Sequence, residues 1–206
     1  MRTSMLIGIT ILVLVSALVG AQLVVPTIGE RQIEERLTEG GGDASVNLSA
    51  TPAARLLLGD GDRIEVRGSN LELELVTDEP QVLDRLDGFG EVDVGLEDFQ
   101  AGPFAVASFE MSREGEEPYS VRSESSTTAA ELVDYGAEAL GLAGGSVLRF
   151  FAGRAPLGSR QIPIRVDMLM ESDDGQIRVV SGSGTVAGYP TGPLAQFITA
   201  AIVMRL

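Results

Sequence analysis

An uninterrupted apolar stretch from Met5 to Val25 constrains this chain more than any other sequence feature. It contains no charged residue, and its only polar side chains are those of Thr10, Ser16 and Gln22. A helix of this length can span a bilayer core of about 30 Å. A helix buried inside a soluble core would need a domain that wraps it, and the polar segment GERQIEERLTEGGG that follows disfavours this. The sequence therefore predicts export of the remainder from the cytosol.

Two interpretations of this stretch stay open. It is either a secretory signal peptide cleaved after Val19-Gly20-Ala21, where small residues stand at the expected positions, or an uncleaved signal anchor. Apolar character continues to Val25, beyond the usual hydrophobic region of about 7 to 15 residues, which favours the anchor. Both interpretations predict a domain on the extracytoplasmic side of a membrane, and the anchor leaves it attached by a single span.

The composition excludes several classes of function. The formal net charge is −15, and all 15 basic residues are arginines. Nucleic-acid binding requires clustered cations, so it is not expected. The chain has no lysine, histidine or cysteine, which excludes Schiff-base chemistry, histidine-dependent nucleophiles and thiolate or imidazole metal sites. The acidic turns Asp60-Gly61-Asp62 and Asp173-Asp174-Gly175 lack the further ligands of a calcium loop. We therefore expect no metal, no cofactor and no enzymatic activity.

The chain divides into three segments by composition. Residues 1–25 form the signal peptide or anchor, and residues 26–42 form a helix followed by Gly40-Gly41-Gly42. The apolar stripe of this helix is thin, which is typical of a juxtamembrane stalk or of a helix lying against the edge of a domain. Residues 43–206 are predicted to form one α+β domain.

Within that domain, local patterns predict strands, turns and helices. Alternating apolar residues indicate strands from Ala44, Arg63, Val92, Phe104, Tyr119 and Ile162 onward. The turn Asp173-Asp174-Gly175 predicts a hairpin, and Thr128 followed by Glu131 predicts a capping box at the start of a helix. The segment EPQVLDRLDG predicts a short helix with Val82, Leu83 and Leu86 facing inward. The segment FAVASFEMSR is predicted to be a strand that is apolar on both faces.

One run of sequence resembles a known family. Residues 46–73, VNLSATPAARLLLGDGDRIEVRGSNLEL, combine a strand, a proline-containing apolar turn, Leu-Leu-Gly and a second strand. This run is similar to the LmeA-type phospholipid-binding family of actinobacterial cell envelopes, and the hairpin from Ile162 to Val186 fits the same family. The resemblance implies an elongated, curved antiparallel sheet wrapped around one or two helices. It also implies acyl chains held between sheet and helix, and a role in envelope lipid or glycolipid handling.

A lipid-binding protein must offer the acyl chain a dry surface. Each exposed CH₂ group costs about 0.8 kcal/mol in water, so a chain of about 16 carbons costs on the order of 13 kcal/mol. Apolar strand residues could line such a groove, and the candidates are Phe104, Val106, Phe109, Met111, Phe150, Phe151, Met168, Leu169 and Met170. The expected partner is a phospholipid or related polyprenyl-type lipid. The alternative is a membrane-tethered structural or interaction module whose apolar strands simply pack as core.

Overall fold

The computed structural model describes residue 22 and residues 24–74, 83–131, 160–186 and 189–190. These residues form an α+β structure dominated by one sheet. Its strands are β1 (Asp43–Ser49), β2 (Gly61–Ser69), β3 (Glu72–Leu73), β4 (Phe89–Ala101), β5 (Phe104–Glu114), β6 (Tyr119–Thr127), β7 (Ile162–Asp173), β8 (Gln176–Val186) and β9 (Tyr189–Pro190). The helices are α1 (residues 24–37), a 3-10 helix (Ala53–Leu58) and α2 (Asp84–Asp87).

The sheet is mixed. Its strand order is β1-β2-β4-β5-β6-β7-β8-β9, and β3 pairs with β4 beyond the end of β2. All neighbours are antiparallel except that β2 and β3 run parallel to β4. The prediction of a purely antiparallel sheet is therefore wrong at this position. The segment between β2 and β4 is long enough for the crossover of a dozen or more residues that parallel pairing requires.

None of the helices within the described ranges is long and apolar enough to cross a membrane. The predicted span, residues 5–25, lies almost entirely outside those ranges.

The predicted hairpin turn is confirmed. Asp173 pairs with Gln176, and the two residues between them, Asp174 and Gly175, have φ values of 52° and 79°. Two consecutive positive φ angles define the tight hairpin turn that Asp-Gly favours. The 3-10 helix ends at Gly59, whose left-handed conformation lets its N–H bond to the carbonyl of Leu56.

The two faces of the sheet differ in polarity. The inner face is buried, and one row across β2, β4, β5, β6 and β7 consists of Val66, Val94, Met111, Val121 and Met168. The outer face is wet and largely charged, and the adjacent row consists of Arg67, Gly95, Glu110, Arg122 and Asp167. Successive residues of a strand point to opposite faces, so this alternation determines which side of the sheet holds the core.

Three neighbouring strand segments change the phase of their alternation at the same level of the sheet. Inward-facing positions are separated by three residues rather than two, from Gly68 to Leu71, from Leu96 to Phe99 and from Val106 to Phe109. Asn70 and Asp98 lie at this level and have positive φ values of 54° and 48°. Short polar side chains of this type tolerate the left-handed region better than most.

The phase change corrects one prediction. β5 was expected to be apolar on both faces, but Phe104, Val106, Phe109 and Met111 all lie on the inner face. The register against β6 shifts between Val106 and Ser108, which marks a β-bulge. Because a bulge adds one unpaired residue, it returns the second half of the strand to the same face as the first. β5 therefore has one apolar face and one polar face.

Helix α1 lies along the free edge of β1, the second of the two arrangements that its thin apolar stripe allows. Glu34 Oε1 accepts a hydrogen bond from the Val46 N–H at 3.0 Å, and Glu30 Oε1 accepts one from the Leu48 N–H at 2.9 Å. Four residues of helix rise about 6 Å and two residues of strand about 6.8 Å, so the two spacings match. The helix comes close because Gly29 has no side chain; an added Cβ would lie 2.8 Å from Leu48 Cδ1.

The three glycines after α1 pack against the sheet. A Cβ atom on Gly40 would collide with the carbonyl oxygen of Glu72, and one on Gly42 would collide with that of Asn70. Leu37, at the end of α1, is fully buried in the same hydrophobic cluster as the strands. The helix, the glycine segment and the sheet therefore share one core.

We expect Glu34→Ala to lower the free energy of unfolding by about 1–2 kcal/mol, because it leaves a strand N–H without its acceptor. Glu35→Ala, on the exposed side of the same helix, should change it by less than about 0.5 kcal/mol. Urea unfolding followed by circular dichroism measures both. Equal effects of the two substitutions would contradict the edge-capping role of Glu34.

Candidate functional site

The inner face of the sheet between β5 and β7 carries most of the groove candidates. Phe104, Val106, Phe109, Met111, Met168 and Met170 all lie on it, and each is at most 5% exposed. The register of the strands brings them together, because Met111 of β5 lies beside Val121 of β6, and Val121 lies beside Met168 of β7. These six side chains therefore belong to one continuous apolar surface.

The other three candidates are not part of this surface as described. Leu169 is 40% exposed and lies on the outer face, between Ser120 of β6 and Ser181 of β8. It was grouped with Met168 and Met170, but adjacent strand residues point to opposite sides, so the three cannot line one groove. Phe150 and Phe151 lie outside the described residues.

β6 contributes hydroxyl groups to the same inner face. Ser123 lies between Phe109 and Val166, and Ser125 is 7% exposed. The Oγ atoms of both serines are buried and have no hydrogen-bond partner among the described residues. A buried hydroxyl without a partner typically costs about 1–3 kcal/mol. The central part of the inner face is thus apolar except for the two unpaired hydroxyls of Ser123 and Ser125, which we call the hydroxyl strip. Towards its ends the face also carries Thr127 and Arg113, which have hydrogen-bond partners.

A polar cluster, formed by Asp87, Arg113, Tyr119 and Ser172, closes one end of this face, and its Asp87 side chain is 30% exposed. Asp87 Oδ1 accepts hydrogen bonds from the Tyr119 hydroxyl at 2.9 Å and from Arg113 Nη1 at 3.3 Å, and the Ser172 hydroxyl donates to Oδ2. The Arg113 guanidinium lies 4.6 Å from the centre of the Tyr119 ring. The cluster joins α2 to β5, β6 and β7.

Arg113 is an inward-facing charge that the fold accommodates locally. Its side chain is only 9% exposed, and Nη2 donates to the carbonyl oxygens of Leu86 and Phe89. Burial raises the pKa of the Tyr119 phenol, and Asp87 raises it further against the opposing effect of Arg113. Tyr119 therefore stays protonated and donates to Asp87. We call this arrangement the structural clamp, because its donors and acceptors pair with one another, except for the Arg113 Nε atom, which has no partner among the described residues.

The outer face has an open depression of 630 Å³ across β1, β2, β4 and β5. Its charged lining residues are Asp43, Arg67, Asp93, Glu97 and Glu110. Arg67 is already paired with Asp93 at 2.7 Å. Its lining mixes charged residues and serines with apolar atoms, so it does not offer an acyl chain a continuous apolar surface. Within the described ranges, no three acidic side chains come together as a metal site would require.

The sequence contained signals for the residues that were missed. Ser123 and Arg113 continue the inward parity of Val121 and Met111 by two positions each. Parity alone therefore places them inside the protein, although their polarity suggests the surface.

The capping box is confirmed: Thr128 N–H donates to Glu131 Oε2 at 2.7 Å, and Glu131 N–H donates to Thr128 Oγ1 at 3.2 Å.

Comparison with known proteins identifies no relative: no protein-family model, curated protein or solved structure matches the chain. The resemblance to the LmeA-type family stays a prediction.

We expect Asp87→Ala to lower the free energy of unfolding by about 1–2 kcal/mol, because it removes the acceptor of the Tyr119 hydroxyl and the carboxylate that pairs with Arg113, while Arg113 keeps its bonds to Leu86 and Phe89. The matched control is Asp167→Ala, which removes the exposed outer-face pair between Arg122 and Asp167 at 3.7 Å. That change should cost less than about 0.5 kcal/mol. Chemical denaturation of both variants measures the difference. A loss for Asp87→Ala no larger than that of the control would contradict the clamp.

Proposed function

We propose that the protein is an extracytoplasmic, membrane-tethered lipid-binding protein that holds a phospholipid or related acyl or polyprenyl lipid against the inner face of its sheet. The observation that carries the proposal is the composition of that face. Six apolar groove candidates lie side by side there, next to the unpaired hydroxyls of Ser123 and Ser125. An amphiphilic lipid could match both kinds of group, because its hydrocarbon chain would contact the apolar side chains and one of its oxygen atoms would accept a hydrogen bond from the hydroxyls.

The apolar part of this face suits a flexible chain. Met111 lies on β5, and Met168 and Met170 lie on β7, with Val121 of β6 between them. Methionine side chains are unbranched and polarisable, and they adapt to irregular hydrocarbon surfaces. Phe104 and Phe109 add large apolar area on β5. An acyl chain lying across β5, β6 and β7 would contact all of them.

The polar part of this face suits the start of an acyl chain. A serine hydroxyl donates one hydrogen bond, and an ester carbonyl accepts one. In a dry site such a bond removes the cost of the unpaired donor, so it favours the occupied state over the empty one. In this proposal the sheet wraps around a helix that begins at the capping box of Thr128 and Glu131, and the lipid lies between the sheet and that helix.

The proposal is tested by native mass spectrometry of the full-length protein purified in mild detergent. We expect a mass increment equal to one endogenous lipid. We expect Met168→Glu combined with Met170→Glu to remove this increment while a folded population remains, because a lipid groove open at one end allows the new carboxylates to be hydrated.

The control for this pair is Leu169→Glu, between the two methionines but on the outer face, which should keep the lipid. A clean lipid-free mass for the unmodified protein, with no uptake from vesicles, would favour the structural or interaction module instead. A double variant with no folded population would count against a groove at β7, since two unpaired buried carboxylates cost several kcal/mol each in a sealed core.

The hydroxyl strip gives a second test. Ser123→Ala combined with Ser125→Ala should leave the stability of the lipid-free protein unchanged or raise it by up to about 1 kcal/mol, because it removes two unpaired donors. The same variant should retain less lipid. Ser120→Ala, on the outer face of the same strand, should change neither quantity. Full lipid retention by the double variant would mean that the hydroxyls do not contact the ligand.

A further inference from the structure

One end of the molecule exposes two consecutive leucines. Leu57 and Leu58, the last residues of the 3-10 helix, are 74% and 86% exposed, the highest values among the large apolar side chains of the described residues. We call these two residues the apolar tip. A single exposed leucine is common on protein surfaces, but two adjacent ones at the end of a projecting turn form a local apolar point.

The polar groups beside the tip are bound to one another. The Arg55 guanidinium lies 2.8 Å from Asp60 Oδ1 and 2.6 Å from Asp62 Oδ1. These contacts raise the pKa of Arg55 and lower the pKa of Asp60, so both groups stay charged and paired. The turn therefore ends in side chains that gain from leaving water, and the guanidinium of Arg55 beside it is paired with two carboxylates.

The apolar tip lies at the end of the molecule that the N-terminal apolar stretch enters. Gln22 Oε1 accepts a hydrogen bond from the Ala53 N–H at 2.7 Å. Together with the contacts of Glu30 and Glu34 to β1, this bond shows that α1 and β1 run in opposite directions, with the start of α1 beside the 3-10 helix. Residue 22 belongs to the C-terminal end of the stretch from residue 5 to residue 25, so this end of the stretch lies beside the 3-10 helix that carries the tip.

The start of α1 is also apolar on an exposed side. Val24 and Ile28 are 55% and 54% exposed, and their spacing of four residues places them on one face of the helix. An exposed apolar residue on a helix that continues a membrane-spanning stretch is expected in the boundary layer of a bilayer. Two independent elements, the 3-10 helix and the start of α1, thus expose apolar side chains at the same end.

We propose that the apolar tip docks in the interfacial layer of the membrane that residues 5–25 enter, with Leu57 and Leu58 inserted among the acyl chains. This inference rests on the tethering part of the proposed function. The tip would form a second attachment point and fix the orientation of the sheet relative to the membrane. A second copy of the chain is a poor occupant, because two leucines provide far less than the roughly 800 Å² per partner of a stable interface.

The chain contains no tryptophan, so one introduced tryptophan reports a single position. Full-length Leu58→Trp is reconstituted in phosphatidylcholine and phosphatidylglycerol vesicles whose acyl chains carry bromine, which quenches tryptophan emission on contact. Leu12→Trp, within the apolar stretch, reports the tether. Leu169→Trp, exposed on the outer face, serves as the control outside the membrane.

We expect Leu12→Trp and Leu58→Trp to show blue-shifted emission and strong quenching, whereas Leu169→Trp is unaffected. Leu57→Trp provides an independent second reporter of the tip. One result would overturn the docking of the tip and leave the tether intact. In that result Leu12→Trp is quenched, whereas Leu58→Trp and Leu57→Trp both behave like Leu169→Trp. Loss of quenching at all positions would overturn the tether and the docking together.

Discussion

The continuous inner face depends on the phase change that three neighbouring strand segments share. If β5 kept a strict period of two from Phe109 onward, Phe104 and Val106 would face outward. Because β4 makes the same change at Asp98, Phe99 still faces Val106 across the pair. Beside β5, strand β6 keeps an unbroken alternation, and the bulge between Val106 and Ser108 matches the two strands. The apolar surface beyond this level therefore exists because three segments change phase together and a bulge joins them to the rest of the sheet.

Features governed by local chemistry could be predicted from the sequence. The hairpin at Asp174 and Gly175 and the capping box at Thr128 each depend on side chains within a few residues of one another. The same is true of the strands themselves, whose alternation is visible in any short window. A period of two correctly places Met168 with Met170 and Phe109 with Met111, but it also assigns Phe104 and Val106 to the opposite face from Phe109 and Met111, which the structure corrects.

Features that depend on distant partners could not be predicted in this way. The phase change in β5 was read as an apolar surface on both faces, since nothing in a single strand distinguishes a bulge from a two-sided strand. The parallel pairing of β2 with β4 is set by the crossover between them. Glu30 and Glu34 resembled ordinary solvated helix residues, because their acceptor role appears only when β1 lies alongside. Arg113 is inside because Asp87 and two carbonyl groups meet it there.

The opposed directions of α1 and β1 have a mechanical consequence. The two elements are joined at the glycine segment, at the far end from Gln22. A force that pulls the N-terminus away from the domain therefore loads their contacts one at a time, starting at Ala53 and passing to Leu48 and Val46, rather than in parallel. Such peeling yields at low force, whereas sliding β1 along β2 would load a whole ladder of hydrogen bonds at once. Helix α1 is therefore expected to separate from β1 at a lower force than the strands of the sheet separate from one another.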